Sequence, residues 1–250
     1  MNAKRSEILS DIYWTKESIK GLFRSFIKKN RIITSDSLDY FKKISESYYA
    51  LNHSASNSSI FCKSIKNNLL ISQLIQKKNL TICDLGCGYG ELFDCIKFDA
   101  TSNICLVDFC QNSLKIAYER VKREYRYVDV KTIDIRNYFK LPRSCDLVFS
   151  INVLPYIENI ESLFKVLGSN LNKESYCVFI YPLKSLVWEE YFDGIKIFFH
   201  DPNNVENIAN NCKMRLIFDD YISIKNILTF NLNKHPLAKI SIFKYLGSDL

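Results

Sequence analysis

Glycine is scarce in this chain of 250 residues, which contains only seven glycines, five prolines and three histidines. This composition excludes a collagen-like or low-complexity chain, and a hydrophobic content of 47% is enough for a sizeable core. Long apolar runs are also absent, and none approaches the length of about 18 residues that a membrane span needs. We therefore predict a globular protein with no membrane span.

Metal-ligand spacing is absent as well. The nine cysteines include no Cys-x-x-Cys pair and no cluster with histidine, so we predict no metal site. Most of them lie inside apolar runs, where cysteine behaves as a small core residue. An odd number of unpatterned thiols favours a reducing compartment, and Met1–Ser10 lacks the features of a signal peptide. We therefore expect a cytoplasmic protein.

The net charge of +7 is unevenly distributed. Residues 1–78 carry 14 basic and 6 acidic side chains, whereas residues 79–250 carry 20 basic and 21 acidic side chains. Such a region either faces an anionic partner or is a solvated lysine-rich surface. Within it, Thr15–Lys29 has the spacing of an amphipathic helix with one basic face. We predict a helical lid or extension over residues 1–60, ending at the polar stretch Asn52–Ser59, and a main domain over residues 61–250.

From residue 80 onwards, short apolar runs alternate with helical patterns, which is typical of βαβ units and a parallel sheet. The last two strand-like runs have no helix between them, which indicates a closing antiparallel pair. The predicted strands are Thr81–Leu85, Asn103–Asp108, Tyr127–Ile133, Cys145–Ile151, Ser175–Tyr181, Met214–Tyr221 and Ile240–Tyr245.

Three of the seven glycines fall within the five residues Gly86–Gly90, directly after the first predicted strand. A glycine-rich turn at this place forms the ligand crevice of open α/β sheets. The loop has no Gly-Lys-Ser/Thr sequence for a phosphate loop, and Glu91 occupies the third glycine position of a dinucleotide fingerprint. A carboxylate there would repel a pyrophosphate, so a nucleoside without phosphate fits better.

Two acids follow the next two strands. Asp108 ends the second strand, where a carboxylate can accept hydrogen bonds from both ribose hydroxyls. Asp134 follows the third strand and can accept a hydrogen bond from an exocyclic amine such as that of adenine. Either acid alone could be a cap, but three strand ends with matching chemistry favour a nucleoside site.

These motifs together resemble the class I S-adenosylmethionine-dependent methyltransferases over residues 62–221. The resemblance rests on the run Asp84–Gly90, on the second-strand acid Asp108, on Asp134, and on Cys145–Ile157 as the fourth-strand motif. It implies a Rossmann-like, doubly wound sheet of seven strands, mostly parallel with an antiparallel last strand. It also implies S-adenosylmethionine as the cofactor. The residues implied to bind it are Asp84, Gly86, Cys87, Gly88, Gly90, Asp108, Phe109, Asp134, Ile135 and Asn152.

The candidate catalytic residues are Tyr156 and His200. Many relatives that act on small molecules carry histidine where Tyr156 stands, and an unperturbed phenol is a poor base at neutral pH. The string Asn152–Tyr156 differs from the Asn/Asp-Pro-Pro-Tyr motif of enzymes that methylate nucleic-acid amines. We therefore expect a small-molecule acceptor, methylated on nitrogen or oxygen, and no nucleic-acid partner.

Three alternatives stay open at this point. The basic N-terminal region could hold RNA or a protein substrate, the protein could bind S-adenosylmethionine without catalysis, or the glycine loop could bind a dinucleotide. The sequence does not indicate an oligomeric state.

Overall fold

The computed structural model describes residues 60–137, 139–141, 144–184, 191–192, 195–222 and 238–247. The predicted lid over residues 1–60, including the Thr15–Lys29 helix, therefore lies outside the described residues except for Ile60. The boundary at residue 60 stays a prediction.

The described chain alternates between strands and helices, as the sequence predicts. The helices are α1 (Ile60–Asn67), α2 (Leu69–Leu74), α3 (Leu92–Cys95), α4 (Gln111–Val121), α5 (Ile160–Asn170) and α6 (Pro202–Asn211). The strands are β1 (Thr81–Leu85), β2 (Asn103–Asp108), β3 (Tyr127–Thr132), β4 (Cys145–Ile151), β5 (Leu171–Pro182), β6 (Tyr191–Phe192), β7 (Ile195–Lys196), β8 (Met214–Ile222) and β9 (Ala238–Tyr245).

Seven strands form one sheet in the order β3-β2-β1-β4-β5-β9-β8, and β6 pairs with β7 in a separate hairpin. Strands β1 to β5 pair with one another in parallel, whereas β9 runs antiparallel to both β5 and β8. This confirms the predicted seven-stranded sheet with an antiparallel last strand. The last strand lies between β5 and β8, so the edge of the sheet is β8.

Apolar side chains cover both faces of the sheet, which makes the fold doubly wound. One core packs β1, β2 and β4 against helices α1 to α4, and the other packs the opposite face against α5 and α6. Because both faces are covered, the central strands are continuous apolar runs. Polar caps start the two helices of the second face: Asn159 accepts a hydrogen bond from the Ser162 amide, and Asp201 accepts from Asn203 and Asn204.

Several predicted boundaries shift in the structure. Leu92, Phe93 and Ile96 have helical spacing after the glycine loop, but α3 has only four residues, because the backbone is extended at Ile96. This extension brings Phe98 edge-on to Phe93 and Phe149, with ring centroids 5.8 Å apart in both pairs. Strand β5 starts at Leu171, four residues before the prediction, and β3 ends at Thr132, one residue before it.

The described cysteines are mostly buried free thiols on or beside the strands, as predicted for small core residues. Cys95, however, forms a disulfide bond, which the sequence did not predict. Because a disulfide weakens the argument from reduced thiols, the cytoplasmic location stays a prediction. Among the described residues, no helix is both long and apolar enough to cross a membrane, and no cluster of acidic, cysteine or histidine side chains has the geometry of a metal site.

The core under β5 depends on three aromatic rings. Phe164 is fully buried, and its ring centroid lies 5.1 Å from that of Phe179 and 5.9 Å from that of Phe243. We expect Phe164→Ala to lower the free energy of unfolding by about 3–5 kcal/mol, because it opens a cavity among these rings. The neighbouring Lys165, whose side chain is 67% exposed, is the matched control, and Lys165→Ala should leave the denaturation midpoint almost unchanged. Equal midpoints for the two variants in urea would contradict this packing.

Candidate active site

The sheet reverses its winding direction at β1, whose neighbours are β2 on one side and β4 on the other. In an open α/β sheet, the crevice at the carboxyl ends of such strands is the usual ligand site. The glycine loop Gly86–Gly90 lies at this place, between β1 and α3. Asp108 at the end of β2 and Asn152 after β4 flank the loop. The structure thus places three of the predicted site elements at one crevice.

The glycine loop is shaped by positive backbone angles and by hydrogen bonds to β2. The φ angles of Gly86, Gly88 and Gly90 are +78°, +52° and +77°, a region that other residues rarely adopt. The amides of Gly86 and Cys87 donate to the carbonyl of Val107 at 2.7 and 3.0 Å. A β-carbon on Gly86 would lie only 2.3 Å from Cγ2 of Val153, so no larger residue fits there.

Asp108 holds the loop through its carboxylate. Oδ2 accepts from the Gly88 amide at 3.0 Å, and Oδ1 accepts from the Cys110 amide at 2.8 Å. Burial raises the pKa of Asp108, while these backbone donors partly lower it. The sequence placed Asp108 beside a ribose but did not predict that this carboxylate also orders the glycine loop.

Asp84, at the end of β1, is a buried carboxylate with a side chain that is only 3% exposed. Within the part of the chain that the structure describes, no hydrogen bond or ion pair reaches its oxygens. Burial raises the pKa of Asp84 well above its usual range, and the nearby carboxylates of Glu91 and Asp108 add to this rise. An unpaired buried carboxylate is costly, so this position favours a cationic ligand group.

Glu91 is a third carboxylate of this crevice, a residue that the sequence pattern marked only as unfavourable for a dinucleotide. Its Oε2 accepts a hydrogen bond from the Tyr89 amide at 3.1 Å, so the side chain folds back under the loop. Burial raises the pKa of Glu91, and Arg120 partly lowers it. Arg120 itself pairs with Asp94 at 2.8 Å. The signal in the sequence was an acid directly after the third glycine.

Cys87 and Phe109 complete the surroundings of the loop. Cys87 is a buried free thiol, and burial together with the carboxylates of Asp84 and Asp108 raises its pKa, so the thiol stays protonated. Phe109 is half-buried directly after Asp108. The protonated thiol of Cys87 and the ring of Phe109 therefore supply no charge to the crevice.

Asp134 and Ile135 follow β3, next to the end of β2. Asp134 forms a bidentate ion pair with Arg136, with Nε 2.8 Å from Oδ1 and a terminal nitrogen 2.6 Å from Oδ2. This guanidinium lowers the pKa of Asp134, which is therefore ionised at neutral pH. Ile135 is partly buried against the second core. The sequence analysis did not predict that Arg136 pairs with Asp134. The one cue in the sequence was that an arginine follows the acid by two residues.

The chain after β4 forms a tight turn. Asn152 has a φ of +59°, and its amide donates to the Ile180 carbonyl at 2.7 Å. A short 3₁₀ turn over Leu154–Tyr156 follows. Tyr156 is half-buried, and burial raises its pKa to about 12, so the phenol is protonated at neutral pH.

His200 lies against the same turn, so the structure brings the two candidate catalytic residues together. Its Nε2 is 3.0 Å from the Leu154 carbonyl oxygen and 2.9 Å from that of Ile157. Because carbonyl oxygens only accept, Nε2 carries the proton and Nδ1 is the unprotonated nitrogen of the neutral ring. Burial lowers the pKa of His200, and the two carbonyls partly oppose this.

Comparison with known proteins identifies a methyltransferase domain in this chain. A family model described as a methyltransferase domain matches residues 59–209. The uncharacterised protein MJ0638 of Methanocaldococcus jannaschii is 29% identical over 140 residues, which are 56% of this chain. The chain spans about 57% of the length of that relative.

Solved structures share the fold at low sequence identity. One is the magnesium protoporphyrin IX methyltransferase of Synechocystis PCC 6803, solved with bound S-adenosylhomocysteine (SAH). Its TM-score is 0.62 at 13% sequence identity, and the match covers 83% of this chain and 96% of the Synechocystis chain. A Haloferax volcanii complex of the Trm112 methyltransferase activator with a putative methyltransferase gives a TM-score of 0.64 at 10% identity, covering 85% and 99%. The family model, the sheet order and the ordered motifs show that this chain belongs to the class I S-adenosylmethionine-dependent methyltransferases.

Proposed function

We propose that this protein transfers a methyl group from S-adenosylmethionine to a nitrogen or oxygen atom of a small-molecule acceptor. The observation that carries the proposal is the crevice at β1, where a left-handed glycine loop meets the buried carboxylate of Asp84, which has no partner among the described residues. Bound S-adenosylmethionine supplies a methyl group activated by a positively charged sulfonium. The buried carboxylates of Asp84, Glu91 and Asp108 at this crevice fit that positive charge.

Each proposed contact uses a group that the structure leaves available. Asp84 provides an ionisable oxygen pair for a cationic group. Asp108 accepts from the backbone amides of Gly88, Phe109 and Cys110, so one of the roughly four acceptor positions of its carboxylate is left for a ribose hydroxyl. The other residues proposed to line the cofactor site are Gly86, Cys87, Gly88, Gly90, Phe109, Asp134, Ile135 and Asn152.

Asp134 is the weakest member of this set. Because Arg136 already engages both of its carboxylate oxygens, an adenine amino group would have to use the remaining lone pairs. The neighbouring Ile135, which is only partly buried, offers an apolar contact instead. We therefore propose that adenine recognition at this end depends more on packing than on the Asp134 charge.

The acceptor side favours a nitrogen nucleophile. A hydroxyl acceptor needs a base, but the Tyr156 phenol is protonated at neutral pH because its pKa is about 12. Burial lowers the pKa of His200, which makes its free nitrogen Nδ1 a weaker base. An amine that arrives neutral needs no base, so positioning and exclusion of water suffice for its reaction. The name of the Synechocystis neighbour, a porphyrin methyltransferase, also supports a small-molecule acceptor.

A turnover screen tests the proposed reaction. We expect S-adenosylhomocysteine to form from S-adenosylmethionine with at least one member of a panel of small amines and hydroxylated compounds, measured by mass spectrometry. Gly88→Val is the inactive control, because a φ of +52° is strained for a β-branched residue and the side chain would fill the loop. Turnover by Gly88→Val equal to that of the natural chain would contradict the assignment of the loop.

The basic first third of the chain favours one alternative, an RNA or protein acceptor. Residues 1–78 hold 14 basic and 6 acidic side chains, which would attract a polyanion. Adding RNA to the same screen distinguishes the two. Methylated RNA, with binding that weakens steeply as salt rises, would favour the alternative over the small-molecule proposal.

Replacing Asp108 tests its double role. We expect Asp108→Ala to weaken S-adenosylhomocysteine binding about tenfold to a hundredfold, because it removes a charged acceptor and releases the Gly88 amide. Calorimetric titration measures the dissociation constant. Glu119→Ala removes an exposed acid from α4 and serves as the control with unchanged affinity. An unchanged affinity in Asp108→Ala would exclude the carboxylate from the cofactor site.

Replacing Asp84 tests the electrostatic argument. Asp84→Asn keeps the shape of the side chain but removes its charge, so we expect it to weaken S-adenosylmethionine about threefold to tenfold more than S-adenosylhomocysteine. The reason is that only the former ligand carries the sulfonium charge. The ratio of the two dissociation constants is the measured quantity, with Glu119→Gln as the exposed control. A ratio that stays the same in Asp84→Asn would contradict a charge-based role.

A further inference from the structure

The turn after β4 forms one wall of the glycine loop. Val153, which is 9% exposed, fills the space next to Gly86, where an added β-carbon would lie 2.3 Å from its Cγ2. The following residues, Leu154–Tyr156, form the 3₁₀ turn, which contains the candidate catalytic residue Tyr156. The position of this turn therefore affects the glycine loop.

Three hydrogen bonds tie this turn to the segment that precedes α6. The Phe198 amide donates to the Pro155 carbonyl at 2.8 Å. The Nε2–H of His200 donates to the carbonyls of Leu154 and Ile157, which stand at the two ends of the turn. The imidazole thus bridges the turn from start to end.

His200 is itself fixed by the start of α6. The next residue, Asp201, caps the helix by accepting from two backbone amides, at 2.9 and 3.2 Å, and Pro202 occupies its first turn. Val205 and Ala209 then anchor the helix in the second core, where both are fully buried. Because the start of α6 is fixed in this way, the His200 ring can hold the turn Leu154–Tyr156 in a defined position.

We propose that His200 is a positioning residue: through its Nε2–H it holds the turn Leu154–Ile157 against the glycine loop, and so acts on cofactor binding through Val153. This inference rests on the proposed function, since it takes the loop to be the cofactor site. It gives His200 a role different from that of a general base. In this role the ring acts as a hydrogen-bond donor, and its basic nitrogen is not needed.

A pair of substitutions separates the donor from the base. Gln at position 200 offers an amide N–H at about the reach of Nε2, whereas Leu has similar bulk and no donor. We expect His200→Leu to weaken S-adenosylhomocysteine binding about tenfold, and His200→Gln to recover most of that loss. The dissociation constants are measured by calorimetry on the full chain, with Asn207→Ala on the exposed face of α6 as the control.

A second variant keeps the test decisive if His200→Leu does not fold. Val153→Ala removes the methyl groups that pack on Gly86 but leaves the His200 hydrogen bonds in place, and it should weaken binding in the same direction. Equal defects in His200→Gln and His200→Leu would overturn the donor role in favour of the imidazole itself. Natural affinity in both His200→Leu and Val153→Ala would overturn the coupling. Failure of the natural chain to bind would instead overturn the proposed function.

Discussion

The site depends above all on the hydrogen bond between the Asp108 carboxylate and the Gly88 amide. Parallel pairing of β1 with β2 brings the carboxyl ends of both strands to the same edge, so an acid on one strand can reach the loop that follows the other. The second oxygen of Asp108 accepts from Cys110 at the start of α4. One carboxylate therefore fixes the glycine loop, the end of β2 and the beginning of the next helix relative to one another.

The chemistry of the crevice follows from the charges that this arrangement buries. Burial raises the pKa of three carboxylates at the crevice, those of Asp84, Glu91 and Asp108. The charges of Glu91 and Asp108 raise the pKa of Asp84 further. The charge of Arg120, which pairs with Asp94, partly lowers the pKa of Glu91, whereas no cation among the described residues lowers the pKa of Asp84. A phosphate ligand would increase this repulsion, and a sulfonium ligand would relieve it. The electrostatics thus explain why a methyltransferase cofactor suits this loop better than a dinucleotide.

Much of the fold was predictable because its strands are short, apolar and buried on both faces. The ranges of β1, β2 and β4 agree with the sequence prediction at both ends, and the closing antiparallel pair was recognised from the missing helix between its strands. The short α3 was not predictable, because aromatic packing of Phe98 overrides the helical spacing of Ile96. The bonds of His200 to the turn after β4 join residues more than 40 positions apart, which no local pattern reveals. The pairing of Asp134 with Arg136 is local, but it depends on side-chain rotamers that the sequence does not specify.

Whether the crevice at β1 binds the cofactor is tested most directly by titrating the natural chain with S-adenosylhomocysteine, the product that S-adenosylmethionine leaves after methyl transfer. We expect calorimetric titration with S-adenosylhomocysteine to give a dissociation constant in the micromolar range, and titration with NAD under the same conditions to give no binding, because the carboxylates around the loop repel a pyrophosphate. Binding of NAD, or no binding of S-adenosylhomocysteine by the folded protein, would contradict the assignment of the crevice at β1.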